Sequence, residues 1–157
     1  MKILGIDPGI GRTGYAIIET AGNKTKLMEA GCITTKPGSY EPHRLLEIKK
    51  DVTDIIRHFK PDAVCLESLF FAANSKTAMM VGQARGVVVV TAADHKLKII
   101  EVTPLQVKIA ATGYGKADKG QVQRMLVKLL NLKKAPKPDD AADAAAIAWA
   151  GIGRMRY

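Results

Sequence analysis

Three apolar segments open the chain, and the connections between them are too short to hold a helix. The segments are residues 2–7, 14–19 and 26–34, and their connections are rich in glycine, asparagine and lysine. Connections of this length and composition join neighbouring antiparallel strands. The first part of the chain is therefore predicted to form a three-stranded antiparallel meander.

The spacing of the apolar residues then changes from strand-like to helical. Between residues 40 and 60 they recur every three or four positions, which predicts an amphipathic helix. A strand at 63–67, a long helix ending near Asp94 and a strand at 96–102 are predicted to follow. The valines at 87–90 favour a strand by themselves, but the alanines and glutamine around them favour a helix.

The last third of the chain is predicted to be helical. A short helix opens at Pro104, another covers about Lys119 to Leu130, and a last one begins at Asp139 after the basic, proline-rich segment 133–138. The last helix is apolar nearly all round, so it should be buried. We predict a single α/β domain over residues 1–157, with the order β-β-β-α-β-α-β-α-α and a five-stranded mixed sheet carrying helices on both faces.

Charge is the one unusual bulk property of the chain. It has 24 Lys and Arg against 15 Asp and Glu, a net charge of +9 and a pI near 9.6. Such a surplus favours a polyanionic partner, although it is also compatible with an ordinary basic protein. No apolar run approaches the ~20 residues that span a bilayer. The start of the chain meets an acid at Asp7 and does not resemble a signal peptide, so we expect a cytoplasmic protein without a membrane partner.

The cysteines and histidines argue against a zinc site. Cys32 and Cys65 lie far apart in apolar segments, and neither belongs to a Cys-x-x-Cys pair. The three histidines also lack the spacing of metal ligands. Both cysteines are predicted to be buried free thiols.

The glycine pattern at residues 9–14 matches G-x-G-x-x-G, the fingerprint of a dinucleotide-binding turn. That motif needs a helix to start at its third glycine, whereas Tyr15–Ile18 is aromatic and β-branched and predicts a strand. The glycines are therefore interpreted as a hairpin connection at positive φ. Asp7 followed by this connection also resembles the phosphate loop of the actin, sugar-kinase and heat-shock ATPases, but those proteins enclose a nucleotide between two domains.

Two carboxylates stand at strand ends. Asp7 closes the first predicted strand and Glu67 closes the fourth. If these strands are parallel neighbours, both side chains emerge at the edge of the sheet where α/β proteins bind ligands. Taken singly, each is equally explained as a turn aspartate or an ordinary strand-end residue.

Three further acids begin the last helix. Asp139 can cap the helix, and acids in the first turn are favoured by the helix dipole. Asp140 and Asp143 share one helix face, and Asp143 lies in an alanine-rich stretch suited to burial. Carboxylates are rarely buried unless they are paired or bind metal.

An oxygen-only set of acids favours Mg²⁺ or Mn²⁺ over zinc. On a basic protein this has a chemical meaning, because two cations ~4 Å apart activate a water and stabilise the leaving oxygen in phosphodiester hydrolysis.

At this point five motifs, in order along nearly the whole chain, resemble the RuvC-type Holliday junction resolvases. They are GIDPG around Asp7, ESLF at 67–70, GQARG at 82–86, QVK at 106–108 and DAADA at 140–144. The resemblance implies a ribonuclease H-like fold. It also implies that the acids matching Asp7, Glu67, Asp140 and Asp143 bind two Mg²⁺ ions, with Mn²⁺ a plausible substitute, and carry out hydrolysis.

The same resemblance implies how DNA is bound. Phe70 matches an aromatic residue that stacks on a base near the crossover, although core packing is the alternative for it. Lys108 and Lys119 match lysines that contact phosphates near the cut, and without the family they would be interpreted as solvated helix charges. The family acts as a two-fold homodimer on four-way junction DNA, with the RuvA–RuvB branch-migration complex as its partner. The helix carrying GQARGVVVV resembles the dimer helix, and is equally suited to a core.

The leading hypothesis is thus a metal-dependent endonuclease that resolves Holliday junctions by paired symmetric nicks, in recombination and repair. Three alternatives remain open at this stage: another ribonuclease H-like nuclease acting on a different DNA or RNA, a non-catalytic junction-binding protein, and a nucleotide-binding ATPase. Whether Asp139 joins the metal site is also open.

Overall fold

The computed structural model describes residues 1–68 and 75–155. One mixed sheet of five strands lies at its centre, in the order β3-β2-β1-β4-β5. The strands are β1 Lys2–Asp7, β2 Arg12–Ala21, β3 Lys24–Thr34, β4 Ala63–Glu67 and β5 Lys98–Val102. β1, β2 and β3 pair antiparallel, and β4 joins β1 and β5 in parallel. The predicted meander and the predicted mixed α/β sheet are confirmed.

Five helices surround the sheet in the described part of the chain. They are α1 Glu41–Phe59, α2 Ser75–Asp94, α3 Pro104–Thr112, α4 Lys119–Leu129 and α5 Asp139–Met155. The four valines lie within α2, as predicted. Three helices follow β5, where they were predicted from Pro104, Lys119 and Asp139, although the predicted order of elements counted only two. α3 and α4 form as separate helices because each begins with a reciprocal cap, Thr103 with Gln106 and Asp118 with Gln121.

The glycine-rich connection differs in detail from its prediction. β2 already begins at Arg12, so the turn spans only residues 8–11 and Gly14 lies within a strand. The predicted positive φ at Gly9, Gly11 and Gly14 is wrong, because the glycines with positive φ are Gly22, Gly38 and Gly113. Gly14 is needed for a different reason: a Cβ there would overlap the backbone carbonyl of Asp140 in α5.

The two faces of the sheet carry separate cores, because side chains alternate along each strand. Leu4 and Ile6 of β1 pack with α1 and α2, whereas Ile3 lies on the face covered by α3, α4 and α5. Burial of a large aliphatic side chain, such as each of these three, favours the folded state by about 1.5–3 kcal/mol relative to leaving it exposed to water. Helices on both faces were predicted, and this is confirmed.

α5 lies directly on the middle of the sheet. A Cβ at Gly5 of β1 would overlap the backbone of Ala144 and Ala148, and a Cβ at Gly151 would come within 2.9 Å of Cys65. Small residues on both surfaces thus let the helix approach closely. The predicted burial of this helix is confirmed, since its alanines from Ala144 to Ala148 are almost fully buried.

Two smaller expectations are also answered. Both cysteines are free, but only Cys65 is buried and Cys32 is half-buried, so the prediction for Cys32 is wrong in part. Cys32 lies on β3, whose outer edge has no neighbouring strand in the sheet. Among the described residues, no helix combines the length and apolarity that crossing a bilayer requires.

Candidate active site

Asp7 and Glu67 end two parallel strands that are direct neighbours. Ile6 pairs with Leu66, so Asp7 and Glu67 follow at the next position of each strand. Alternation places both on the face of Gly5 and Cys65, which is the face covered by α5. Two carboxylates therefore meet at the carboxyl edge of the sheet, beneath a helix.

The start of α5 brings Asp140 and Asp143 to the same edge. Asp7 pairs with Gly14 across β1 and β2, and the backbone of Asp140 rests on Gly14. Asp143 lies one helical turn further on and lines a cleft together with Asp7 and Glu67. Four acids that are far apart in the sequence are thus assembled from three elements of the fold.

Their charges act on one another. Burial raises the pKa of Asp7 to about 7, and the negative charges of Asp143, Glu67 and Asp140 add to the effect, whereas Lys119 lowers it. Burial also raises the pKa of Glu67, with Asp143 adding to it and Lys108 opposing it. The crowding of carboxylates in a partly dry site is the physical cause of both shifts.

Two basic side chains neutralise the acids of α5. The guanidinium Nη2 of Arg12 lies 2.9 Å from Oδ2 of Asp140, and Nζ of Lys119 lies 2.7 Å from Oδ2 of Asp143. Lys119 is also 3.9 Å from the exposed Asp139. Among the described residues, no three acidic, histidine or cysteine side chains stand close enough to one another to hold a metal ion as they are.

The acidic cleft, as we name the space lined by Asp7, Glu67, Asp143, Lys108 and Lys119, has a volume of about 260 Å³. Its floor is apolar, and is formed by Val107, Val122, Ala146 and Ile147. Larger hollows of about 500 and 660 Å³ lie elsewhere, but neither is lined by more than one carboxylate. We assign the site by its chemistry and not by its size.

Most of the site residues predicted from the sequence lie in the acidic cleft, but not all of them do. Asp7, Glu67, Asp143, Lys108 and Lys119 line the acidic cleft, and Asp140 lies beside it in its pair with Arg12. Phe70 lies outside the described residues. Sequence reasoning missed Arg12. A cation five residues after Asp7 was the available signal, but nothing in the sequence indicated that α5 would dock against it.

Comparison with known proteins now bears on the site. The family model described as crossover junction endodeoxyribonuclease RuvC matches residues 3–150. The chain belongs to the RuvC family. The RuvC of Alkaliphilus oremlandii is 53% identical over 148 residues, which cover 94% of this chain and 90% of that relative. The RuvC of Thermosipho melanesiensis is 49% identical over 157 residues, covering all of both chains.

Solved structures agree with this membership. The structure of Thermus thermophilus RuvC is 34% identical, with a TM-score of 0.92 over 99% of this chain and 96% of the other. The same RuvC in complex with a Holliday junction substrate has a TM-score of 0.94, over 99% and 95% of the two chains. The yeast mitochondrial Holliday junction resolvase Ydc2, at 15% identity and a TM-score of 0.70 over 94% and 76%, shares the fold.

Proposed function

We propose that this RuvC-family protein resolves Holliday junctions by cutting two strands symmetrically, and that residues 1–157 form one ribonuclease H-like nuclease domain. The observation that carries the proposal is the meeting of Asp7, Glu67, Asp140 and Asp143 at one edge of the sheet. A net charge of +9 supports a DNA substrate, and the Thermus thermophilus relative was solved with a Holliday junction.

The donors fit a hard divalent cation. All four side chains offer oxygen, and their mutual repulsion is the kind of strain that a cation relieves. We infer that Asp7, Glu67, Asp140 and Asp143 hold two Mg²⁺ ions, for which Mn²⁺ can substitute. When bound, such ions supply a nucleophilic water at neutral pH and stabilise the leaving oxygen.

The residues of the chain prepare the reaction in three ways. Asp7 must give up its proton to become a ligand, and burial and the neighbouring carboxylates, which raise its pKa to about 7 in the metal-free protein, oppose this loss until a cation offsets them. Lys108 and Lys119 line the acidic cleft, which supports the proposal that they hold the phosphates beside the cut. The apolar floor, to which Val107 and Val122 belong, excludes water from the acidic cleft. Charges in the cleft therefore interact more strongly than they would in water.

Three further assignments rest on the family resemblance. Phe70 is proposed to stack on a base near the crossover. A homodimer is proposed through α2, where Met79 and Val90 are 69% and 55% exposed and open space lies above Gly82 and Gly86. A two-fold axis would present two acidic clefts to opposite strands. The RuvA–RuvB branch-migration complex is the proposed partner.

A synthetic four-way junction incubated with the protein and Mg²⁺ tests the function. The protein as it stands should release two symmetrically nicked duplexes, and Asp7→Asn should release none. Asp54→Asn, a change on the exposed side of α1, is the matched control and should cut normally. Equal cutting by Asp7→Asn would refute the catalytic assignment.

The substrate is tested in the same experiment. Parallel incubations with linear duplex and with an RNA–DNA hybrid separate a junction resolvase from another ribonuclease H-like nuclease. If the linear duplex or the RNA–DNA hybrid is cut faster than the junction, the protein is another ribonuclease H-like nuclease and not a junction resolvase. Junction binding without cutting, at any concentration of Mg²⁺ or Mn²⁺, would identify a non-catalytic binding protein.

A further inference from the structure

Every acid at the start of α5 has a basic partner outside that helix. Asp140 pairs with Arg12 of β2, Asp143 with Lys119 of α4, and Asp139 lies 3.6 Å from Lys137. Lys119 also lines the acidic cleft, whereas Arg12 has no role in the proposed mechanism so far. Its guanidinium is nevertheless in contact with a carboxylate that we assign to the metal.

The backbone of Arg12 is anchored, while its side chain has room to move. Arg12 pairs with Thr34 of β3, and the turn before it is tied by a hydrogen bond from the Thr13 hydroxyl to the carbonyl oxygen of Gly9 (2.7 Å). The amide of Thr35 donates to the carbonyl of Gly11. The side chain of Arg12 is 54% exposed. The guanidinium can therefore leave Asp140 without any movement of the strand.

Arg12 and a divalent cation bind the same carboxylate and repel each other. The negative charge of Asp140 attracts both, but a metal ion beside it weakens the attraction for the guanidinium. A guanidinium that turns away from Asp140 remains at the rim of the site, and its planar fork of donors matches a phosphate group.

We propose that Arg12 is a further site residue, which neutralises Asp140 in the metal-free protein and contacts a DNA phosphate beside the cut once metal is bound. This inference rests on the proposed function. It predicts effects of opposite sign for one substitution: removing the guanidinium should strengthen metal binding and weaken binding of the junction. A purely structural role for Arg12 would weaken both.

The metal test uses the full chain without DNA. Titration with Mn²⁺ in a calorimeter should give a dissociation constant about two- to five-fold lower for Arg12→Gln, because an exposed ion pair has about that strength. Arg12→Lys, which keeps the charge, should bind Mn²⁺ about as the unchanged protein does. The matched control is Lys49→Gln, which removes an exposed lysine paired with Asp94 and should have no effect. Unchanged or weaker Mn²⁺ binding by Arg12→Gln would overturn the proposal.

The DNA test measures junction affinity against NaCl concentration, in Ca²⁺ and in EDTA. In Ca²⁺, the slope of log K against log [NaCl] should be shallower for Arg12→Gln by about 0.9, the value of one phosphate contact. In EDTA the slope should change less, because Asp140 then holds the guanidinium. If Arg12→Gln changes the slope equally in Ca²⁺ and in EDTA, the proposal that Arg12 moves from Asp140 to a DNA phosphate is overturned. The Mn²⁺ titration needs no junction, so this inference and the proposed nuclease function can fail separately.

Discussion

The backbone carbonyl of Asp140 rests on Gly14, at the position where Gly14 pairs with Asp7. This contact joins β2, the second strand of the meander, to the helix α5. It places the first turn of α5 next to the end of β1, and the acidic cleft forms as a result. The arrangement of the four acids therefore depends on a glycine whose only contribution is the absence of a side chain.

Gly14→Ala should separate these two elements. The added methyl group meets helix backbone, which cannot turn aside as a flexible side chain can, so α5 must shift. Overpacking of this kind costs about 1–3 kcal/mol. We expect that loss in the free energy of unfolding, measured in urea, together with weaker Mn²⁺ binding.

Gly153→Ala is the control for this prediction. Gly153 lies in α5 with open space around it, so a methyl group there meets nothing. Because alanine favours a helix over glycine by up to about 1 kcal/mol, this variant should be as stable as the unchanged protein or more so. A Gly14→Ala protein with unaltered stability and metal affinity would contradict the importance of the contact.

Stability without metal should fall as the pH rises from about 4 to about 7. The pKa of Asp7 is raised from 3.8 to about 7 by folding, so in this range the folded state binds a proton that the unfolded state has lost. Above pH 7 the carboxylate of Asp7 is charged in both the folded and the unfolded state, and the folded state then bears the full cost of burying that charge. Asp7→Asn should therefore be more stable than the unchanged protein at pH 8, by about 1–4 kcal/mol, and similar to it near pH 4.

Urea unfolding in EDTA at several pH values measures this effect. Asp54→Asn should follow the unchanged protein at every pH, because Asp54 is exposed on α1 and distant from the cleft. Adding Mg²⁺ at pH 8 should raise the stability of the unchanged protein and have less effect on Asp7→Asn. A parallel pH dependence in both proteins would mean that Asp7 titrates normally.

Lys119 should hold the pKa of Asp7 down. Its positive charge lowers that pKa, and its ammonium group donates a hydrogen bond to Asp143. In Lys119→Gln the pKa of Asp7 should rise further, which a carbon-13 NMR titration of its carboxyl group in the metal-free protein can follow. Lys128→Gln, on the exposed side of the same helix, should leave the titration unchanged. A downward shift in Lys119→Gln would contradict the assignment.

The proposed dimer predicts that a charge on α2 should produce a monomer. Val90→Glu places a carboxylate on the exposed apolar side of this helix, where it would have to be buried without a partner in the dimer. Sedimentation of the variant should give the mass of one chain, with an unaltered circular dichroism spectrum. Met28→Glu, on the strand at the other end of the sheet, should sediment as the unchanged protein does.

Local patterns predicted the elements of this fold well, and their contacts less well. Apolar runs ending in Asp7 and Glu67 identified both strand ends, because strand burial follows from a few consecutive residues. The reason for Gly14 lay beyond such patterns, since it depends on Asp140, which meets it only in the folded chain. The ion pair between Arg12 and Asp140 was missed for the same reason, because these two residues also meet only in the folded chain. Sequence reasoning thus identified which acids belong together, whereas their counter-charges required the structure.

Arg44, a buried cation, supports the turn between Asp7 and Arg12 from the opposite face of the sheet. It lies in the first turn of α1 with only 8% of its surface exposed, and its Nε donates to the hydroxyl of Thr35 at 2.8 Å. That hydroxyl in turn donates to the carbonyl oxygen of Ile10, in the turn between Asp7 and Arg12. The turn is thus held by α1 on one side and lies beside α5 on the other.

Breaking this network should loosen the turn that follows Asp7. Arg44→Met keeps the apolar length of the side chain but leaves Thr35 without its donor, which should cost about 1–3 kcal/mol in urea unfolding. Thr35→Val should cost a similar amount, and the double variant should cost clearly less than the sum, because both changes break one chain of hydrogen bonds. Arg57→Met, at an exposed position of the same helix, should be nearly neutral. Strictly additive losses would mean that Arg44 stabilises the protein by packing alone, and that the turn is held without it.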